Sequence, residues 1–324
     1  MSKLMIRLLI LALALVSQVG FSVPPAFPNK PIKIIVPYPA GGTTDLLARV
    51  VGQYMSEHIG QSVIVENRPG ANGMLGANLV AKSPNDGYVI GIASPGSHAA
   101  NASLYKDVPY DTVKDFTPIT LAVEAPLLMV INPTLNIKSI AELVKAAKAS
   151  PNTLSYASGG SGSSMHLAVE QFANMADIKM NHIPYKGASN AYVDIISGRV
   201  DFIVDVLPNC LPNVKTGKLL AIATAGSKRW SGLPDVPTIA ESGYPGYAAN
   251  SWYGFVGPAN LPKDVLTKLN TQIVAALKDP EVAKKLSDAG LEIIASSPES
   301  LKIYIKSELN KAAHTIKTSN IKSE

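Results

Sequence analysis

Cysteine is almost absent. Cys210 is the sole cysteine in 324 residues, so no internal disulfide can form and no cysteine cluster can hold a metal. Its setting, LPNCLPN, suits a small packing residue better than a nucleophile. A concentrated charge is also lacking. The formal net charge is +5, and the lysines and arginines are scattered. That distribution excludes the basic face with interleaved aromatics that a nucleic acid requires. Beyond the N-terminal segment no run is long and apolar enough to span a bilayer. The histidines are His58, His98, His166, His182 and His314, and none forms an H-E-x-x-H pair. Only His166 and Glu170 stand four apart, where helical pairing or packing outweighs a metal role. No short repeat and no low-complexity segment is present, and nothing in the chain calls for a cofactor.

The N-terminus has a different character. Lys3 and Arg7 precede the apolar run LLILALALV, and small or polar residues follow through Ser22. That order is the order of an export signal, and the run is short against the roughly 20 residues of a span. Residues 1–22 are therefore expected to be a signal peptide, cleaved near Ser22. The remainder would be a soluble exported protein of net charge +3, from 5 − 2 on loss of Lys3 and Arg7.

Strand-like runs then alternate with helix-like ones. IKIIV (32–36) is followed across PYPAGGTTD by LLARVVGQYMSEHI, in which Leu46, Leu47, Val50, Val51, Tyr54, Met55 and Ile59 share one helical face. SVIVE (62–66), YVIGIAS (88–94), LSYAS (154–158), MNHIPY (180–185) and DFIVDV (201–206) each lead into a helix-like stretch. Such alternation argues for α/β units on largely parallel sheets. TPITLAVEAPLLMVINP (117–133) is too long for one ordinary strand, and GYAANSWYGFVGP (246–258) looks like a second crossing. Both features fit one domain inserted into another: lobe 1 from 26–125 and 250–324, lobe 2 from 126–249. The expected architecture is two mostly parallel sheets flanked by helices and joined by two crossing strands. Ligand then belongs in the cleft between them.

Two glycine loops carry the chemistry. In PYPAGGTTD the glycines permit positive φ and leave N–H groups uncovered. Thr43 or Thr44 is placed to cap the helix, Asp45 suits its first turn, and a helix N-terminus attracts anions. ASGGSGSS (157–164) also follows a strand and precedes a helix. It lacks the Lys-Ser/Thr ending of a Walker loop. The nucleophile elbow G-x-S-x-G nearly fits at Gly159–Ser161, but Ser163 stands where glycine is needed. What remains is a concave set of amides and hydroxyls able to hold an oxyanion. The glycines of PGANGMLGA (69–77) miss the dinucleotide fingerprint and suit close helix–strand packing. His98, after a strand, faces the expected cleft. Asp205 ends another strand, where it can orient a loop or cap the next segment. Lys186 and Gly187 open a further helix.

Taken together, these motifs resemble the periplasmic solute receptors of tripartite tricarboxylate transporters, often called Bug receptors. The resemblance runs through FPNKPIKIIVPYPAGGTTDLLAR, VIVENRPGANG, LYKDVPYDTVKDFTPI, ASGGSGSSMHLA, HIPYKGA, LPDVPTIAESGYPGY and LPKDVLTKLN, and covers 26–310. It implies a periplasmic, two-lobed clamshell closing on a small carboxylate, held by the glycine loops of both lobes. The corresponding residues here are Tyr38, Ala40, Gly41, Gly42, Thr43, Thr44 and Asp45 in the first loop. In the second they are Ser158, Gly159, Ser161, Ser163 and Ser164. Ser97, His98, Lys186, Gly187 and Asp205 match neighbouring cleft positions. Tyr38, Ala40, Thr43 and Val206 depart from the residues common in the family. The implied partners are an organic acid and the permease subunits of the transporter, with the receptor monomeric. Two other readings stand beside this one: a receptor reporting to a sensor, and a periplasmic hydrolase using Ser161 or Cys210.

Overall fold

The computed structural model describes residues 27–185 and 187–322; the expected signal peptide and Lys186 lie outside them. The chain opens with β1 (Ile32–Val36), α1 (Thr43–Ile59), β2 (Val63–Asn67), α2 (Met74–Ala81) and β3 (Val89–Ala93). A π-helical turn, Gly96–Ala100, runs into α3 (Asn101–Leu104). Then come β4 (Phe116–Ile131), α4 (Ile140–Ala149), β5 (Ser155–Ser158) and α5 (Ser164–Ala176). β6 (Asn181–Pro184), α6 (Tyr192–Ile196), β7 (Phe202–Val206), α7 (Leu207–Lys215) and β8 (Leu220–Thr224) follow. The last elements are β9 (Asn250–Pro258), α8 (Lys263–Lys278), α9 (Pro280–Asp288), β10 (Glu292–Ile293) and α10 (Pro298–Thr318).

The strands form one curled mixed sheet in the order β2-β1-β3-β9-β4-β7-β5-β6. Pairing is parallel at the two ends, β2-β1-β3 and β7-β5-β6. It is antiparallel along the seam, where β9 joins β3 to β4 and β4 joins β7. β4 explains the overlong apolar run. Its first part pairs with β9 and β10, and its last residues, Leu127–Ile131, pair with β7 and β8. One strand therefore belongs to both halves of the sheet, while β9 starts at the junction, Asn250 opposite Pro126, and stays in the first half. Being flanked on both sides, β4 is buried nearly throughout, and its sequence accordingly does not alternate.

On α1 the buried residues are Thr44, Asp45, Leu47, Ala48, Val51, Gly52 and Met55. The face is thus turned from the apolar stripe toward the small residues, because the helix lies close on the sheet. A Cβ on Gly52 would stand 3.3 Å from Val63 and 3.6 Å from Ile34. Leu47, Val51 and Met55 join Ile32 and Ile34 in the principal core, each side chain contributing roughly 1.5–3 kcal/mol by burial. The glycines of PGANGMLGA do serve close packing: a Cβ on Gly76 would come within 2.8 Å of Pro37 Cα and 2.9 Å of the Arg68 carbonyl oxygen.

Candidate functional site

The carboxyl ends of β1 and β5 each feed a glycine loop and then a helix, α1 and α5, and the two loops open on one cleft of about 630 Å³. From the first loop, Tyr38, Pro39, Ala40, Gly41, Gly42, Thr43 and Thr44 line it; from the second, Gly159, Ser163, Ser164 and Met165. Both helix N-termini aim backbone amides without intrahelical partners at this space. Gly187 also lines it. None of the described lining residues carries a charge.

The first loop is shaped from behind rather than by a threonine cap. Gly42 is the N-cap, without a side-chain hydrogen bond. Thr43 and Thr44 fall inside the helix, so their expected capping role is corrected. Asp45 takes over. Its Oδ2 accepts from the Gly41 N–H at 3.0 Å and from Arg49 Nε at 2.9 Å, and its Oδ1 from Asn67 Nδ2 at 3.0 Å. Asn67 Nδ2 also reaches the Tyr38 carbonyl at 3.1 Å. Gly41, at φ 84°, makes the bend that brings its N–H back to this carboxylate. Asp45 is buried and does not line the cleft. It is a support of the loop, not a wall of the site.

In the second loop Ser163 caps α5, its Oγ accepting from His166 N at 3.3 Å. Ser158 lies buried beneath, with its Oγ 2.6 Å from His182 Nε2. Ser161 does not line the cleft. His166 does not pair with Glu170. Its Nδ1 accepts from the Gly162 N–H and its ring stacks on His182 at 3.7 Å, while Glu170 accepts from Tyr156 OH.

The structure moves Ser97 and His98 out of the cleft. The π-helical turn after β3 sets Ser94, Pro95 and Gly96 on the rim and turns Ser97 and His98 inward. His98 is 1% exposed, edge-on to Phe116 at 4.5 Å. A chain of hydroxyls runs from Tyr38 OH to Ser94 Oγ at 2.7 Å, to Ser97 Oγ at 2.9 Å and on to His98 Nδ1 at 2.9 Å. Tyr38 therefore presents its ring to the cleft with its hydroxyl anchored, and burial pushes the phenol up to about 12. Asp205 is likewise behind the wall, fully buried at the end of β7, with Val206 and Asn209 of that wall in front. Cys210 is buried beside it, 3.4 Å from Tyr192 OH, and burial pushes the thiol up. A buried thiol in this state is a packing residue, not a nucleophile.

Sequence reasoning missed Asn72, Asn190, Asn209, Ser251 and Tyr253, all of which line the cleft. Ser251 and Tyr253 had a readable signal. In β9 the period of two sends them to the cleft and the intervening Trp252 to the opposite face, where its Nε1 donates to Glu308. Asn72 sits at φ 49°, a conformation asparagine tolerates within a glycine-rich turn.

The buried histidines give the fold a distinctive acid response. Burial lowers His98 to about 3, and burial together with His182 lowers His166 to about 3. Unfolded, each protonates near pH 6.5. Between those values the unfolded chain binds more protons, so stability rises with pH, by about 1.4 kcal/mol per pH unit for each histidine. Asp205 acts with opposite sign. Burial raises it to about 6, so its contribution is present at low pH and lost as pH rises through that value. The net expectation is steep loss of stability on acidifying below about pH 6.5. His98→Gln should make the slope shallower by one proton, as urea titrations between about pH 4.5 and 7 will read. An unchanged slope would contradict the buried neutral imidazole.

A curled mixed α/β sheet carrying a cleft between two helix N-termini, with no charge among its described lining residues, is the architecture of a solute-binding receptor of the periplasmic binding class. Comparison with known proteins gives the family. The profile of the tripartite tricarboxylate transporter family receptor matches residues 47–321, and the chain belongs to that family. Protein BugT of Bordetella pertussis is 33% identical over 322 residues, covering 98% of this chain and 99% of BugT. An R. palustris protein in a structure with adipate superposes with a TM-score of 0.86 at 36% identity, over 92% of this chain and 100% of that one. MatC from Rhodopseudomonas palustris with bound malate gives 0.82 at 29% identity, over 90% and 100%. Family and fold are those of periplasmic receptors, not enzymes. No helix among the described residues is long and apolar enough to cross a membrane.

Proposed function

We propose that this receptor captures a small organic carboxylate between two lobes, residues 26–125 with 250–324 and residues 126–249, and delivers it to the permease subunits of a tripartite transporter. The observation that carries the reading is the convergence of two glycine loops and helix N-termini, α1 and α5, on one cleft whose described lining residues are uncharged. The similarity to structures holding adipate and malate supports a carboxylate as the ligand. Binding at micromolar affinity needs about 8 kcal/mol. Hydrogen bonds to a charged group give roughly 1.5–3 kcal/mol each, so four or five preorganised amides suffice without a buried arginine. A ligand touching both loops favours the closed lobes and shifts the population toward them. The receptor works as a monomer, exported by the N-terminal signal peptide and freed by its cleavage. Lys186, beside the cleft residue Gly187, steers anions toward the site.

A thermal-shift screen over mono-, di- and tricarboxylates and aromatic acids tests the reading. Stabilisation by at least one acid is expected, and none by amines or neutral sugars. A pH profile tests the amide cradle. Amides do not titrate, carboxylic acids are ionised well above their pKa of about 4, and His98 and His166 are neutral. Calorimetry should therefore find affinity constant from about pH 7 to 8.5, and His98→Gln should change it by less than about threefold. Binding that weakens tenfold over that range and is levelled by His98→Gln would reject it.

A further inference from the structure

We propose that Asn209, held from behind by the carboxylate of Asp205, makes the second-half wall of the cleft select a ligand with a hydroxyl where a dicarboxylate has its second carboxylate. The ligand class is then a monoanionic hydroxy acid. This rests on the carboxylate-receptor reading and adds the other end of the ligand to it.

Asp205 is 0% exposed at the end of β7. Its Oδ1 accepts from the Val206 N–H at 2.7 Å, and its Oδ2 from Tyr192 OH at 3.0 Å and from Asn209 Nδ2 at 2.9 Å. Above its raised value of about 6 the Asp205 carboxylate is ionised and only accepts hydrogen bonds, so Asn209 turns its nitrogen toward it. That settles which end of the amide is which. The carbonyl oxygen Oδ1 is the acceptor Asn209 has left, and Asn209 stands with Val206 on the cleft wall. A hydroxyl can donate to it, whereas a carboxylate has no proton to give.

The charge behind the wall acts in the same direction. The other carboxylate behind the cleft, Asp45, is neutralised by Arg49 at 2.9 Å. Asp205 has no such partner among the described residues. The groups around it are uncharged: the Val206 amide, Tyr192, Asn209 and, beside them, the thiol of Cys210. Its negative field is therefore felt at the wall, where no described lining residue offers a compensating cation. A ligand carboxylate at the glycine loops lies on helix N-termini that favour it. A second one at Asn209 would meet a carbonyl oxygen backed by a buried anion.

Calorimetry with three-carbon to eight-carbon acids in three matched series tests this: unsubstituted, ω-hydroxy and α,ω-dicarboxylic. At the chain length that binds best, the wild type should bind the hydroxy acid at least about tenfold more tightly than the diacid. Asn209→Leu should abolish the preference for hydroxy over unsubstituted acid. Asp205→Asn should bring the diacid within about threefold of the hydroxy acid. If that variant does not fold, Asn209→Leu alone decides. A diacid bound as tightly as its hydroxy counterpart by the wild type overturns the proposal and leaves the carboxylate reading standing. Failure of all three series to bind overturns the proposal, and the carboxylate reading falls with it only if the tricarboxylates and aromatic acids of the thermal-shift screen also fail.

Discussion

Gly42→Val is expected to fold like the wild type and to bind carboxylate at least about 100-fold more weakly. The backbone at Gly42 has φ −85° and ψ 176°, which valine adopts readily. A Cβ there meets nothing nearer than the Pro39 carbonyl oxygen at 3.8 Å. The branched side chain therefore enters free space, and that space is the cleft, at the N-cap of α1. Valine is a poorer N-cap than glycine by about 1 kcal/mol, so melting should fall by only a few degrees. A carboxylate, by contrast, would have to give up its contact with the loop amides. Circular dichroism melts and calorimetry on the same preparation separate the two effects. Retained affinity in a folded Gly42→Val protein would move the anion site away from this loop.

Asp45→Ala should damage both stability and binding. It leaves the Gly41 N–H, Asn67 Nδ2 and Arg49 without their shared acceptor, Asn67 half-buried and the other two exposed. Water can reach these groups, so each lost hydrogen bond costs about 0.5–1.5 kcal/mol, and a loss of about 1–2 kcal/mol overall is expected. The loop then loses the tie that fixes Gly41 against α1, and affinity should fall by about tenfold or more through lost preorganisation. Asp45→Asn keeps one acceptor oxygen and should recover part of both. The pH response has a defined sign. Burial pushes the carboxyl up, but the hydrogen bonds from Arg49, Gly41 and Asn67 outweigh it and hold the value below the ordinary one. The stabilisation is present above about pH 4 and is lost as pH falls through the lowered value. Urea titrations of wild type and Asp45→Ala should thus differ most near pH 7, the difference narrowing as pH falls through the lowered value. A constant difference would mean that Asp45 works by packing rather than by its charge.

The parts of the fold that were legible in the sequence are those whose pattern is local. IKIIV marks β1 to the residue, and the overlong apolar run announced that β4 serves two sheet halves. The glycine loops were readable because strand, small residues and helix follow each other directly. What escaped notice depends on partners distant in the chain. Asp45 reads in the sequence as a loop residue near the ligand, because nothing local shows that Asn67, at the end of β2, ties it back as a support. His98 looked like a cleft residue until the π-helical turn rotated it against Phe116 and Tyr110. Asn209 carried no motif at all, and its part depends on Asp205 being buried without a cation. β10 has only two residues, Glu292 and Ile293, too few for any alternation to show.

The place of β9 has a consequence for how the chain acquires its structure. β9 lies between β3 and β4, so the first half of the sheet keeps two unpaired edges until residues 250–258 arrive. The residues that form the second half are, by contrast, contiguous along the chain from the end of β4 to β8. That half can assemble from near neighbours, whereas the first must wait for a segment returning from far downstream. Closing so long a loop before its contacts form is entropically slow. The late partner is also the strand that carries Ser251 and Tyr253, and the ligand cleft is therefore among the last parts of the molecule to be built.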